Sequence, residues 1–253
     1  MHYLLGTNHI KLAYEYTPPE HADSDLPSVV FLGGFKSDME GTKALYLEGR
    51  CLSRGQGYLR FDYSGHGASD GAFEDGTISR WTQDACDMLD QVVKGPVILV
   101  GSSMGGWVGL SLLLKRPKRI KGMIGIAAAP DFTKDVLAQF SEKQKIEMEK
   151  KGRVEIPNEY STEPYFFTKE MMNDGEAQCL LDKKHEISVP LTLMQGKQDE
   201  DVPWRKALEI EKVFQGPNTK VIFIKDGDHR LSRQEELNLM DNELLKMAET
   251  LRD

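Results

Sequence analysis

A serine with glycine two residues to either side, directly after an apolar run, carries the residue types that nucleophilic chemistry requires. Here Val97-Ile98-Leu99-Val100 leads into Gly101-Ser102-Ser103-Met104-Gly105. A nucleophile on a sharp strand-to-helix turn sits in a strained backbone conformation, and its neighbours must lack bulk so that strand and helix can approach. Gly101 and Gly105 meet that demand around Ser103 but not around Ser102, which should point back into the turn. Taken alone, the pattern also describes a flexible loop, so the rest of a hydrolytic site must be sought elsewhere in the chain.

A serine hydroxyl is a poor nucleophile at its own pKa and needs a base within hydrogen-bond reach, itself oriented by a carboxylate. Two histidines lie downstream of Ser103. His185 stands among Lys183, Lys184 and Glu186 and reads as a solvated loop position, whereas His229 ends the loop Lys225-Asp226-Gly227-Asp228-His229, where strand ends converge. His229 is the candidate base. For the carboxylate, residues 195–203 offer three acids. Asp199 falls in the tight turn after a strand and is favoured; Asp201 is placed to cap the helix that Pro203 helps start, and Glu200 faces solvent. Asp226 and Asp228 share the histidine's own loop and approach Nδ1 poorly. A tetrahedral intermediate also needs N–H donors. Met104, following the nucleophile at a helix start, and Phe35, following Gly33-Gly34, are the candidate oxyanion-hole donors. Gly34 there lets the backbone approach the substrate; the plainer reading of Gly33-Gly34 is a strand-to-helix turn.

These residues need a scaffold that brings strand ends together. Residues 3–5 and 9–16 read as an early strand pair, and 29–32 is a continuous apolar run of the kind found in strands covered on both faces. Ser37 and Glu40 have capping-box spacing, predicting a helix from there towards residue 54. Strands over 58–61, 97–100 and 123–127 alternate with helices over 78–93 and from 104 to Pro117. The alternation resumes with a strand at 191–194, a helix over 202–214, a strand at 221–224 and a helix after Ser232, which again has capping-box spacing with Glu235. Such alternation implies an α/β domain with a mostly parallel sheet and ligands at the strands' carboxyl ends. Residues 131–188 break the rhythm. They are rich in charge, include a polar helical stretch over 143–153 and carry Tyr160, Tyr165, Phe166 and Phe167. We read one domain over 1–253 with 131–188 as a small cap insertion, Phe166 and Phe167 being candidate substrate contacts. That aromatic group could equally tie the cap to the sheet. His66 reads as structural rather than pocket-lining, and Trp107 as core packing behind the serine.

The 253 residues suffice for a full core, and 40% hydrophobic with 28% charged residues describe an ordinary globular chain. A net charge of −8 opposes binding to nucleic acid or anionic lipid. The basic run from Lys115 to Lys121 reads as a solvated helix end and loop. Cys51, Cys86 and Cys179 have no short spacing, so neither disulfides nor a zinc site is expected and a reducing compartment fits. No apolar run suits a membrane span or a signal peptide, and too little chain precedes the first strand for a transit peptide. The cytosol is the expected location.

As an ordered set, Gly33-Gly34-Phe35, Asp62-Tyr63-Ser64-Gly65-His66-Gly67-Ala68-Ser69, Gly101 to Trp107, Gly196 to Pro203 and Asp228-His229 resemble the α/β-hydrolase superfamily. Residues 37–45, Arg60 to Gly65, Val100 to Trp107, Val202-Pro203-Trp204 and Asp228-His229-Arg230 are similar to its palmitoyl-protein thioesterase and acyl-glucuronide esterase members. The resemblance implies the α/β-hydrolase fold, a Ser103, Asp199, His229 triad, and carboxylic esters or thioesters as substrates, either small acyl esters or acylated proteins. It implies no cofactor or metal and a monomer without stable membrane insertion. The first-loop His-Gly usual in the superfamily is Gly33-Gly34 here, which keeps the backbone donor and loses the histidine. Two other functions stay open at this point: hydrolytic carbon–carbon cleavage on the same fold, and a non-catalytic receptor or scaffold.

Overall fold

The computed structural model describes residues 1–21, 26–157 and 164–251. β1 (His2–Leu5) and β2 (Lys11–Thr17) form an antiparallel hairpin. Strand and helix then alternate through β3 (Ser28–Leu32), α1 (Thr42–Leu52), β4 (Tyr58–Phe61), α2 (Ile78–Gln91), β5 (Val97–Ser102), α3 (Met104–Lys115) and β6 (Ile120–Ile126). The next segment holds α4 (Phe132–Gln139), α5 (Glu142–Lys151), the antiparallel pair β7 (Arg153–Ile156) and β8 (Tyr165–Thr168), and α6 (Lys169–Ala177). The chain closes with β9 (His185–Glu186), β10 (Leu191–Gly196), α7 (Arg205–Val213), β11 (Phe214–Gln215), β12 (Thr219–Ile224) and α8 (Gln234–Thr250).

Eight strands make one sheet in the order β1-β2-β4-β3-β5-β6-β10-β12, antiparallel only where β2 meets β1 and β4. The pleat divides each central strand between two apolar layers. Val30 and Leu32 face Trp81, Met88, Trp107 and Leu110 of α2 and α3, while Val29 and Phe31 face Leu47 of α1 and Leu237, Met240 and Leu244 of α8. Burial on both sides explains why these strands are continuous apolar runs. Removing each such side chain from water stabilises the fold by about 1.5–3 kcal/mol. Chain order reverses between neighbours β3 and β5, so a crevice opens at their carboxyl ends. Gly33 and Ser103 follow directly from those two strands, and Asp199 and His229 follow β10 and β12, which run in the same direction.

Several local expectations are corrected. Ser37 and Glu40 do not form a capping box: α1 starts after Gly41 with no side-chain cap, the Ser37 hydroxyl donates to the Gly34 carbonyl, and Glu40 pairs with Arg60. The reason is competition, since the Asp62 carboxylate takes the Met39 N–H at 2.7 Å and holds this stretch in a turn. At α8 the reciprocal bond closes one residue later than Ser232 and Glu235 would place it, from the Arg233 N–H to Glu236 Oε2. The polar helix ends at Lys151 because Gly152 turns left-handed at φ 72°, and Arg153 begins β7. α7 starts at Arg205, after a turn in which the Asp201 and Val202 N–H groups are taken by Asp199. His185 is not solvated. It is buried, its ring stacks on Phe214 at 4.6 Å, and its Nε2 donates to the Leu180 carbonyl. Residues 185–186 pair with 214–215 in a small ladder outside the main sheet. Tyr160 lies outside the described residues.

Candidate active site

Ser103 joins β5 to α3 at φ 53° and ψ −117°, a conformation that costs a non-glycine residue about 1–3 kcal/mol. Packing around it explains the glycines. A Cβ on Gly105 would stand 2.1 Å from the Leu32 carbonyl oxygen, one on Gly101 2.4 Å from that of Gly105, and one on Gly106 2.5 Å from Ala128 Cβ. The turn is fixed to the neighbouring strand and the residues after it: Ser103 N–H donates to Ile126, and its carbonyl accepts from Ala129. Ser102 belongs to β5 and is buried.

His229 Nε2 lies 3.1 Å from Ser103 Oγ, and His229 Nδ1 lies 2.9 Å from Asp199 Oδ2. The Asp199 carboxylate has no exposed surface, whereas the His229 ring is 17% exposed. Both carboxylate oxygens are saturated. Oδ1 accepts the N–H groups of Asp201 and Val202; Oδ2 accepts Gln195 Nε2 at 2.8 Å as well as the histidine. A carboxylate oxygen facing Nδ1 can only accept, which holds the imidazole with its proton on Nδ1 and leaves Nε2 free to accept from a hydroxyl. Asp226 pairs with Arg233, and Asp228 accepts the Leu231 N–H, so neither serves His229. Asp199, Asp201 and His229 are the one group of potential metal ligands that converges among the described residues. The saturation of Asp199 leaves it little capacity for an ion.

The loop after β3 comes close to the serine: a Cβ on Gly34 would lie 3.5 Å from Ser103 Cβ. Among the described residues the Phe35 and Met104 N–H groups have no protein acceptor. The Met104 N–H also opens α3, where the helix dipole favours negative charge. Phe35's ring is surrounded by Phe73, Trp81, Phe132, Tyr165 and Phe167, the last stacked on it at 5.4 Å and 5°. Phe167 is consequently buried. Phe166 points the other way along β8, towards Lys36 Nζ and the Arg153 guanidinium. Trp107 is core, as expected, and its Nε1 donates to Gln178 beyond α6.

Two contributors escape the sequence reading. Gln195, buried at the end of β10, could have been noticed as a polar residue within an apolar strand. Lys43 carries no such signal. Its ammonium donates to the Arg230 carbonyl next to His229 at 2.5 Å, and burial lowers its pKa to about 8.

A mostly parallel sheet flanked by helices, with a serine on a glycine-lined turn beside a histidine and a buried carboxylate, defines an α/β-hydrolase-fold enzyme. Residues 28–173, more than half of the chain, match the family model described as serine aminopeptidase, S33, and the protein belongs to that hydrolase family. It is 38% identical over 219 residues to the mitochondrial palmitoyl-protein thioesterase ABHD10 of Mus musculus, spanning 85% of this chain and 72% of that protein. Among solved structures, a putative hydrolase from Agrobacterium vitis S4 superposes with a TM-score of 0.92 at 39% identity over 98% of each chain. Mouse alpha/beta hydrolase domain-containing protein 10 does so with 0.90 at 34%, over 99% of this chain and 98% of the other. The mouse relative's mitochondrial name gives no support to the cytosolic expectation. No helix among the described residues is long and apolar enough to cross a membrane.

Proposed function

We propose that the protein is a two-step serine hydrolase of carboxylic esters and acyl thioesters, of the acyl-protein thioesterase or acyl-glucuronide esterase type. One observation carries this reading: the unbroken hydrogen-bond chain from Ser103 Oγ through His229 to Asp199. Ser103 attacks the acyl carbonyl while His229 Nε2 takes its proton. Asp199 holds the ring in the required tautomer and stabilises the imidazolium that forms. The N–H groups of Phe35 and Met104 receive the oxyanion. Collapse of the tetrahedral intermediate expels the thiol or alcohol with the proton from His229. Water, deprotonated by the same nitrogen, then cleaves the acyl-enzyme.

The thioesterase name of the mouse relative supports acyl thioesters as substrates, whether carried by a small molecule or by a protein. Gly34, Phe166 and Phe167 are the proposed acyl-side contacts. The enzyme acts as a monomer. Its three thiols are free, consistent with a reducing compartment, which the cytosol and the mitochondrial matrix both provide. The test is Ser103→Ala, which should lower turnover of thioesters and oxygen esters by about 10³-fold or more and abolish labelling by a fluorophosphonate probe. Survival of both activities would refute the assignment.

A further inference from the structure

We infer that His66 is a positioning residue for the oxyanion donor: its Nε2 holds the Lys36 N–H and so fixes the turn over residues 34–37 that presents the Phe35 N–H beside Ser103. This rests on the reading of that N–H as an oxyanion donor.

The turn is a strained one. Ser37 N–H donates to the Gly34 carbonyl at 3.3 Å, closing a four-residue turn, and the Ser37 hydroxyl grips the same oxygen at 2.7 Å. The Gly34 carbonyl and the Phe35 N–H are opposite ends of one planar trans peptide. Holding the oxygen therefore sets where the N–H points. Lys36, the third residue, adopts φ 55°, a left-handed value that a turn of this kind normally assigns to glycine. Left to itself, a lysine would relax to negative φ by rotating the central peptide of the turn, and the N–H of that peptide is its own. His66 Nε2 accepts this N–H at 3.2 Å.

The histidine is built to be a permanent acceptor. Its Nδ1 faces the Ser64 carbonyl at 3.2 Å, which requires the proton on Nδ1 and leaves Nε2 bare. The ring is 4% exposed and lies between Tyr63, Phe73 and Trp81 at 5.1–5.6 Å, and burial lowers its pKa to about 4. Phe73 and Trp81 also pack on Phe35, so the two ends of the device share one aromatic wall. A second grip lies three residues on, where Asp62 takes the Met39 N–H. Asp62 also accepts the Ala68 N–H, and Gly67 approaches it so closely that a Cβ there would stand 2.1 Å from its Oδ2. The loop after β4 thus clamps the loop after β3 at two points.

The experiment compares His66→Leu, which keeps apolar packing but removes the acceptor, with His66→Gln, which retains one. With p-nitrophenyl butyrate, kcat of the leucine variant should fall about 10–100-fold at nearly constant KM, short of the loss from deleting an oxyanion donor outright. Affinity for a tetrahedral boronic acid should fall by the same factor, while His66→Gln should recover most of both. A folded leucine variant with unchanged kcat, or with a raised KM and unchanged kcat, overturns the inference, the second outcome marking a pocket-lining role. So does a glutamine variant as impaired as the leucine one. Should the leucine variant not fold, ¹⁵N spectra of the parent decide: His66 must show a protonated Nδ1 and a bare Nε2 coupled to the Lys36 N–H, and the opposite tautomer overturns it. Loss of fluorophosphonate labelling in the parent would instead mark failure of the triad reading.

Discussion

Asp199→Asn puts the proposed triad to its most discriminating test, because the surroundings of that side chain leave an amide nowhere to fit. Four donors point at the two carboxylate oxygens: two backbone N–H groups on Oδ1, and Gln195 Nε2 with His229 Nδ1 on Oδ2. An asparagine offers one oxygen, so its NH₂ must face a pair of donors. If the oxygen stays with the backbone pair, the NH₂ donates to His229 Nδ1, which then becomes the acceptor and moves the ring proton to Nε2. That nitrogen can no longer receive the Ser103 proton. A tautomer inverted in this way costs about 10⁴-fold in kcat in a serine protease, and a loss of about 10³–10⁴-fold is expected here. Facing donors with no acceptor should also lower stability by about 1–3 kcal/mol. The assay is kcat/KM on a thioester and an oxygen ester, with a urea titration to show that the variant is folded. Activity within about tenfold of the parent in a folded variant would refute the role. Asp201→Asn is the matched control, since Asp201 is exposed yet its carboxylate lies within 4.8 Å of the Asp199 and His229 atoms. If that variant lost the activity instead, the role would pass to Asp201.

Gly105→Ala, with its Cβ driven onto the Leu32 carbonyl, should destabilise by about 3 kcal/mol or more, read from the urea midpoint. Phe167→Ala should cost about 3–5 kcal/mol, because Phe167 is 5% exposed and stacked on Phe35. Phe166→Ala, on the partly open side of the same strand, should cost far less, and equal losses in the two melts would contradict the assigned faces. Stability should also carry two opposed pH terms. Burial places His66 at about 4, below its ordinary 6.5, so the folded state binds fewer protons and acidification through that window destabilises it. Burial raises Asp84 from 3.8 to about 6, so the folded state binds more protons there and the same acidification stabilises it. Each term amounts to about 3 kcal/mol, and they offset each other. Asp84→Asn removes one of them, so its stability should fall more steeply than the parent's between about pH 6.5 and pH 4 in urea titrations; parallel curves would contradict this.

Steric and topological features were the legible ones. Gly101 and Gly105 mark Ser103 because only glycine fits where α3 crosses the ends of β3 and β5, and a steric requirement leaves its trace in the residue type itself. Val29 to Leu32 reads as a strand because apolar layers cover both its faces. Features decided by competition for hydrogen bonds were not legible. Ser37 and Ser232 both have the spacing of helix caps, but the first is taken by the Gly34 carbonyl and the second donates to the Arg230 carbonyl. His185 has charged neighbours in sequence, yet its ring faces Phe214, 29 residues on, across the small ladder. Gln195 and Lys43 act through contacts that spacing does not encode. Phe166 and Phe167 are adjacent in sequence, yet as neighbours on a strand their rings face opposite ways.

Where the segment holding α4 to α6 departs from the sheet and where it returns, one side chain holds both ends. Asp131, buried and left-handed at φ 60°, accepts the Leu180 N–H on one carboxylate oxygen at 2.8 Å and the Leu181 N–H on the other at 3.0 Å. The two ends of the segment, after β6 and after α6, are thereby closed as if by a clasp. Since loop-closure entropy grows only logarithmically with length, a loop inside the clasp that makes none of the Phe132, Tyr165 and Phe167 contacts to Phe35 should lengthen at little cost. Asp131 thus marks the point at which that segment is fastened to the body of the enzyme.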